Sequence, residues 1–166
     1  KEQVMRATYE IVLWTLLIVA SVTDILWGKI YNWITFSAIF LGVFYRFAFI
    51  SHEEGKIALL GIFVATLIYF PLYYLRIIAA GDVKLLMAIG AWATPKLTFY
   101  LALAGILVAT FVGLLKIFSN LGLQKTLGHF VQNLSGQKTK LHRIAFAPAF
   151  LCSYLLIQIL ERRGLL

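Results

Sequence analysis

The chain has 166 residues, of which 61% are hydrophobic and only 13% are charged, and its formal net charge is +8. This composition excludes an ordinary soluble domain, in which about half of the residues are apolar and about a quarter are charged. The excess of basic residues is expected to anchor helix ends and to contact anionic lipid, because no basic block interleaved with aromatic residues points to nucleic acid.

Six apolar runs along the chain predict six transmembrane helices. Most of the runs approach the roughly 20 residues that a helix needs to cross a bilayer, which favours an all-α bundle over a β-barrel. The predicted spans are 11–27, 33–50, 57–78, 83–93, 97–118 and 144–160. No polar stretch is long enough to form a soluble core, so residues 1–166 are predicted to be a single integral membrane domain.

One connector, residues 119–143, is long and polar. Apolar residues recur in it at helical spacing, for example at Leu123, Leu127 and Phe130. This pattern predicts an amphipathic helix that lies on the membrane surface. The alternative is a helix that packs on the bundle for structural reasons alone.

The basic residues are divided almost equally between the two sides of the predicted bundle. Eight lysines and arginines lie on the side where spans one and two, three and four, and five and six are joined, against seven on the other side. Under the positive-inside rule this small excess places the first side in the cytoplasm. Both termini are then expected outside.

Asp24 and Asp82 are the aspartates within the hydrophobic bulk of the chain. Asp24 closes the first span and Asp82 opens the fourth, and the end of an odd-numbered span shares a membrane side with the start of an even-numbered one. Carboxylates at membrane depth are costly and therefore mark functional sites. Two that meet at one face can share a proton and act as general acid and base, as in an aspartyl protease. Helix capping is the structural alternative for each of them.

The remaining polar residues bear on the other function classes. His52, His129 and His142 are scattered and Cys152 is the single cysteine, so we expect no metal site, no disulfide and no cofactor. A transporter or channel component that relays protons through the aspartates is one rival, and a structural subunit of a pilus or secretion assembly is another. The interiors of spans two, three and five are poor in polar groups, which favours the protease.

Small and polar residues flank both aspartates. Lys29 and Asn32 follow the first one, while Ala79 and Gly81 precede the second and Lys84 follows it. Small residues let a backbone come close to another chain. An extended substrate peptide is therefore expected to lie beside the second carboxylate.

These segments resemble the Gly-x-Gly-Asp aspartyl proteases of membranes, which include type IV prepilin peptidases and archaeal preflagellin peptidases. Ala-Ala-Gly-Asp-Val-Lys-Leu at 79–85 is similar to the motif of their second catalytic aspartate, with Ala79 in place of the first glycine. The alanine should be tolerated if its φ is negative.

Two further segments carry the resemblance. Asn32 follows Asp24 by eight residues, as in the family, and Tyr31 stands where the family commonly has proline. The segment 144–150, which contains Pro148, is similar to the family's last-helix motif. The resemblance covers essentially all six spans.

The resemblance implies a membrane-embedded aspartic endopeptidase that removes a short, basic leader from a prepilin at the cytoplasmic face of the inner membrane. Its partners would be a prepilin with a hydrophobic helix, and membrane lipids. The implied catalytic residues are Asp24 and Asp82, with Gly81, Ala79, Lys84, Asn32 and Lys29 in support. The connector between spans one and two is too short for the cytoplasmic insert associated with N-methylation. We therefore expect a short form without methyltransferase activity, similar to those serving Flp-type or tight-adherence pili.

Overall fold

The computed structural model of the chain describes residues 2–120 and 146–164, which are helical almost throughout and contain no strand. The all-α prediction is therefore confirmed for this part of the chain. Most of the predicted amphipathic connector, residues 121–143, lies outside the described residues. The helices of the described part are α1 (Glu2–Trp27), α2 (Asn32–Tyr45), a π-helix (Arg46–Ile50), α3 (His52–Tyr74), α4 (Ala80–Trp92), α5 (Pro95–Asn120) and α6 (Ala147–Arg162).

Among the described residues, four helical segments are long and apolar enough to cross a membrane, and they correspond to the first, second, third and fifth predicted spans. They are Ala7–Trp27, Asn32–Ile50, His52–Tyr74 and Pro95–Gly113. The chain is accordingly a multi-pass membrane protein. Helix α4 has 13 residues and α6 has 16. At about 1.5 Å per residue these two are shorter than the roughly 30 Å of hydrocarbon in a bilayer, so their crossing stays a prediction.

Helix α4 lies at the centre of the bundle. Nine of its 13 residues are buried, and its main neighbours are α3 and α2. The backbones of α4 and α3 are in contact at Gly90 and Gly61. A Cβ atom added at Gly61 would lie only 2.1 Å from the carbonyl oxygen of Gly90. Only glycine at both positions permits this approach.

The carboxyl end of α4 is held by Arg46, which is 1% exposed. Its guanidinium donates hydrogen bonds to the carbonyl oxygens of Trp92 and Ala93, the latter at 3.2 Å, and forms an ion pair with Glu54 at 3.3 Å. It also lies over the ring of Tyr9, 4.4 Å from the centroid. The last carbonyls of a helix lack intrahelical partners and favour a cation. Arg46 therefore ties this end of α4 to α1 and α3.

Replacing Gly61 by alanine should destabilise the fold, because the new methyl group would overlap the backbone of α4. Overpacking of a well-packed core costs about 1–3 kcal/mol, and more where a backbone must move. The free energy of unfolding in mixed micelles measures the effect. Leu60→Ala is the matched control, since Leu60 is exposed on the neighbouring position. Equal stability of the two variants would contradict the packing described.

Replacing Arg46 by methionine should also destabilise the protein, because Glu54 and the two α4 carbonyls would lose their partner. Removing one member of a fully buried ion pair costs about 3–5 kcal/mol. We expect a smaller loss here, because the side chain of Glu54 is 32% exposed. The control is Lys56→Ala, which removes the ion pair between Lys56 and Glu53, both of them exposed. Exposed pairs contribute about 0–1 kcal/mol. Unfolding of both variants in mixed micelles compares the two costs, and similar values would show that Arg46 does not tie the end of α4 to its neighbours.

Candidate functional site

A cavity of about 400 Å³ lies between the end of α1 and the start of α4. Its lining consists of Asp24, the connector residues 28–31, Asn32 and residues 79–82. Asp24 and Asp82 thus lie at the same end of the bundle, as the parity of the spans predicts. The structure also places both of them in the lining of one cavity.

Asp82 is the third residue of α4 and is only 6% exposed. Its carboxylate oxygen Oδ2 accepts a hydrogen bond from the backbone N–H of Ala79 at 3.2 Å, and its own N–H donates to the Ala79 carbonyl at 3.1 Å. The side chain therefore satisfies a backbone donor at the start of its own helix, as the acidic member of a capping box does. The capping predicted as an alternative to function is present, although the N-cap position itself is occupied by Ala79.

Asp24 lies in the last turn of α1 and is half-buried. Helix α1 ends at Trp27 because Gly28 takes φ +61° and donates its N–H to the carbonyl of Asp24 at 2.9 Å, a common way to end a helix. The Asp24 carboxylate oxygen Oδ2 accepts a hydrogen bond from the backbone N–H of Ala147 at 3.1 Å. A distant helix thus contributes to the site.

Ala147 was not among the predicted site residues. It belongs to segment 144–150, whose similarity to a last-helix motif was noted, and Pro148 after it is a signal for the start of a helix. Helix starts can be recognised in a sequence. The residue that accepts the hydrogen bond of such a start cannot be recognised in this way, because here it is Asp24, which lies far away in the chain.

The connector between α1 and α2 packs closely against Gly81. A Cβ atom there would lie 3.3 Å from the Cβ atom of Ile30. Gly81 therefore lets the connector between α1 and α2 approach α4, and both Gly81 and Ile30 also line the cavity. Ala79 and Ala80 are exposed and leave their side of the cavity open.

The two departures from the family motifs are compatible with the backbone. Ala79 has φ −83°, so the expectation that alanine is tolerated there is confirmed. Tyr31 has φ −73° and ψ 131°, which lies within the range that proline adopts. Tyrosine therefore preserves the conformation that a proline would impose at the start of α2.

The remaining predicted site residues lie around the same cavity. Lys29 and Asn32 line it. Lys84 follows Asp82 by two residues. It donates a hydrogen bond to the side-chain oxygen of Asn32 at 2.9 Å, and its Nζ lies 5.0 Å from the ring centroid of Phe36. This bond links α4 to the start of α2. All seven predicted residues are thus either in the lining or in contact with it.

Two carboxylates on opposite elements of one cavity can act on a bound molecule as acid and base. In the part of the chain that the structure describes, no three His, Cys, Asp or Glu side chains group together as metal ligands would. A comparison with family models matches residues 11–114, more than half of the chain, to the type IV leader peptidase family. The chain belongs to that family.

The matched residues of this leader peptidase family member include both aspartates and end before α6. The predicted relationship to prepilin peptidases is confirmed, and the family makes the chain a protease similar to the leader peptidases. Neither the comparison with curated proteins nor the comparison with solved structures found a match.

The bond between Lys84 and Asn32 should appear as an energetic coupling between these two residues. Lys84→Met and Asn32→Leu should each destabilise the protein, and the double variant should cost less than the sum, with a coupling of about 0.5–1 kcal/mol for an exposed pair. Unfolding of the four proteins in mixed micelles gives this coupling. Strictly additive losses would mean that the two side chains do not interact.

Proposed function

We propose that the protein is a membrane-embedded aspartic endopeptidase that removes the short leader from type IV prepilins, of the Flp or tight-adherence kind, at the cytoplasmic face of the inner membrane. The observation that carries this proposal is the pair Asp24 and Asp82 in the lining of one cavity. Membership of the leader peptidase family supports it.

Hydrolysis would proceed by general acid–base catalysis without a covalent intermediate. The ionised carboxylate takes a proton from a water molecule, whose oxygen attacks the scissile carbonyl carbon, while the protonated carboxyl donates its proton to the carbonyl oxygen. The tetrahedral intermediate then collapses, and a proton passes to the leaving amine. Asp24 and Asp82 are the two groups, and their backbone N–H donors orient them for these transfers.

The position of the cavity suits a substrate that is itself a membrane helix. It lies where α1 ends and α4 begins, so a prepilin helix in the bilayer would bring its leader junction to this level. The exposed Ala79 and Ala80 would flank the extended peptide. Lys29 would contact lipid phosphate rather than the leader, because a basic leader and a lysine repel each other.

The connector between α1 and α2 supports a protease without methyltransferase activity. It comprises only residues 28–31, which form part of the cavity wall. A cytoplasmic insert of the kind associated with N-methylation has no place in it.

Replacing Asp24 or Asp82 by asparagine should abolish leader removal while the protein still folds. Asparagine has nearly the same shape and still accepts a hydrogen bond, but it cannot exchange the proton. Loss of a general acid or base typically lowers the rate by about 10²–10⁴-fold. The purified protein in detergent is incubated with a candidate prepilin, and leader loss is followed by mass spectrometry. Glu53→Gln is the control, because Glu53 is exposed and lies outside the cavity lining.

Three outcomes of this experiment have distinct meanings. Normal cleavage by either asparagine variant would refute the dyad. Proton flux into vesicles that both variants lose, without any cleavage by the wild type, would support the transporter instead. Neither cleavage nor flux, with pilus assembly unaffected by both variants, would support a structural subunit.

A further inference from the structure

We propose that the amino-terminal end of α6 is a working part of the active site, in which the backbone N–H of Ala147 positions the carboxylate of Asp24. Ala147 is then a positioning residue that acts through Asp24. The proposal rests on the proposed function and extends the site beyond residues 11–114, the part that matches the family.

Asp24 is in an electrostatically unfavourable place on its own helix. It lies in the last turn of α1, where the unpaired carbonyl groups form the negative end of the helix dipole. The N–H of Ala147 lies at the positive end of α6 and reaches Oδ2 at 3.1 Å. The positive end of α6 therefore offsets the repulsion between the Asp24 carboxylate and the negative end of α1.

The contact with Asp24 also supplies α6 with a hydrogen-bond acceptor for its first N–H group. Its N-cap residue is Phe146, whose side chain makes no capping hydrogen bond. The first N–H groups of a helix have no partners within it, and a Ser, Thr, Asp or Asn at the N-cap normally supplies one. Here Asp24 accepts the hydrogen bond from another part of the chain.

Packing fixes where this N–H points. Ala147 and Phe150, one turn later on the same face, are both 0% exposed. The ring of Phe150 lies 5.8 Å from that of Tyr69 on α3, and comes within 2.7 Å of the point where a Cβ atom of Gly105 on α5 would be. The start of α6 is therefore wedged between two other helices, and the donor is oriented before any substrate arrives.

The consequence concerns the geometry of the dyad. Asp82 is held by an N–H of its own helix, so its orientation follows α4. Asp24 is held by an N–H of a different helix, so its orientation follows α6. A bond to one carboxylate oxygen also sets the direction of the other, which decides whether it can reach the attacking water. The placement of α6 thus controls how the two carboxylates face each other.

The test removes this single donor by replacing Ala147 with L-lactic acid, which converts the backbone amide into an ester and keeps the methyl side chain. A hydrogen bond to a charged group contributes about 1.5–3 kcal/mol. We therefore expect kcat for leader removal to fall by about 10- to 100-fold with KM nearly unchanged. A purely structural loosening of α6 would raise KM, with no selective loss of kcat.

The matched control is the same ester at Ala149, whose N–H donates to the carbonyl of Phe146 at 3.0 Å. The ester at Ala147 turns the Phe146 carbonyl into an ester carbonyl, which is a weaker hydrogen-bond acceptor. The ester at Ala149 controls for this side effect, because it removes a hydrogen bond to the same carbonyl. The control should keep kcat within about 3-fold, since only an ordinary helical bond is lost. Equal kcat for the two esters would overturn the proposal, while cleavage by the wild type would leave the proposed function standing.

A second measurement is independent of cleavage. The ester at Ala147 is combined with Asp24→Ala, and unfolding in mixed micelles is compared for the wild type, both single variants and the double variant. If the bond exists, the ester should destabilise the protein with Asp24 present and have little further effect without it. The same loss in both backgrounds would show that the N–H does not contact Asp24. Absence of cleavage by the wild type under all conditions would refute the proposed function and this role together.

Discussion

The backbone contact between Gly61 of α3 and Gly90 of α4 is the constraint on which the position of the site depends. Helices in lipid gain little from the hydrophobic effect and associate through close packing of small residues. Helix α4 is short and almost completely buried, so this contact and the bonds from Arg46 at its far end determine where its first turn lies. That first turn carries Asp82, and the carboxylate therefore has a fixed place in the bundle before any substrate binds.

Capping of a helix start does not exclude the proposed catalytic role of either aspartate. Backbone groups within a membrane must find partners inside the protein, and the first N–H groups of every helix lack one. Asp82 accepts a bond from Ala79 at the start of α4, and Asp24 accepts one from Ala147 at the start of α6. The same bonds that satisfy the helix starts also orient two costly carboxylates. Each bond lowers the cost of removing both of its partners from water, because a buried polar group is costly only when it has no hydrogen bond.

The success of sequence-based prediction varied with the range of the interaction involved. Composition and apolar run length predicted an all-helical membrane protein, because these properties are local and additive. The expectation that alanine at position 79 is tolerated if its φ is negative was met, because the backbone conformation there follows from a short stretch of chain. The close approach of Ile30 to Gly81 was not predicted, because Ile30 belongs to a connector that is distant in the chain. The apolar run at 83–93 did predict helix α4, but hydropathy does not tell whether so short a helix crosses the membrane, since burial among other helices replaces contact with lipid.

The sequence by itself determined that Asp24 and Asp82 lie at one end of the bundle. Each crossing reverses the direction of the chain, so parity alone assigns the end of α1 and the start of α4 to the same side. Only the tertiary structure decided that both aspartates line a single cavity and that α6 supplies the donor for Asp24. Such contacts depend on how helices rotate and pack against each other, and no periodicity or motif in a single sequence encodes the distance between two groups so far apart in the chain.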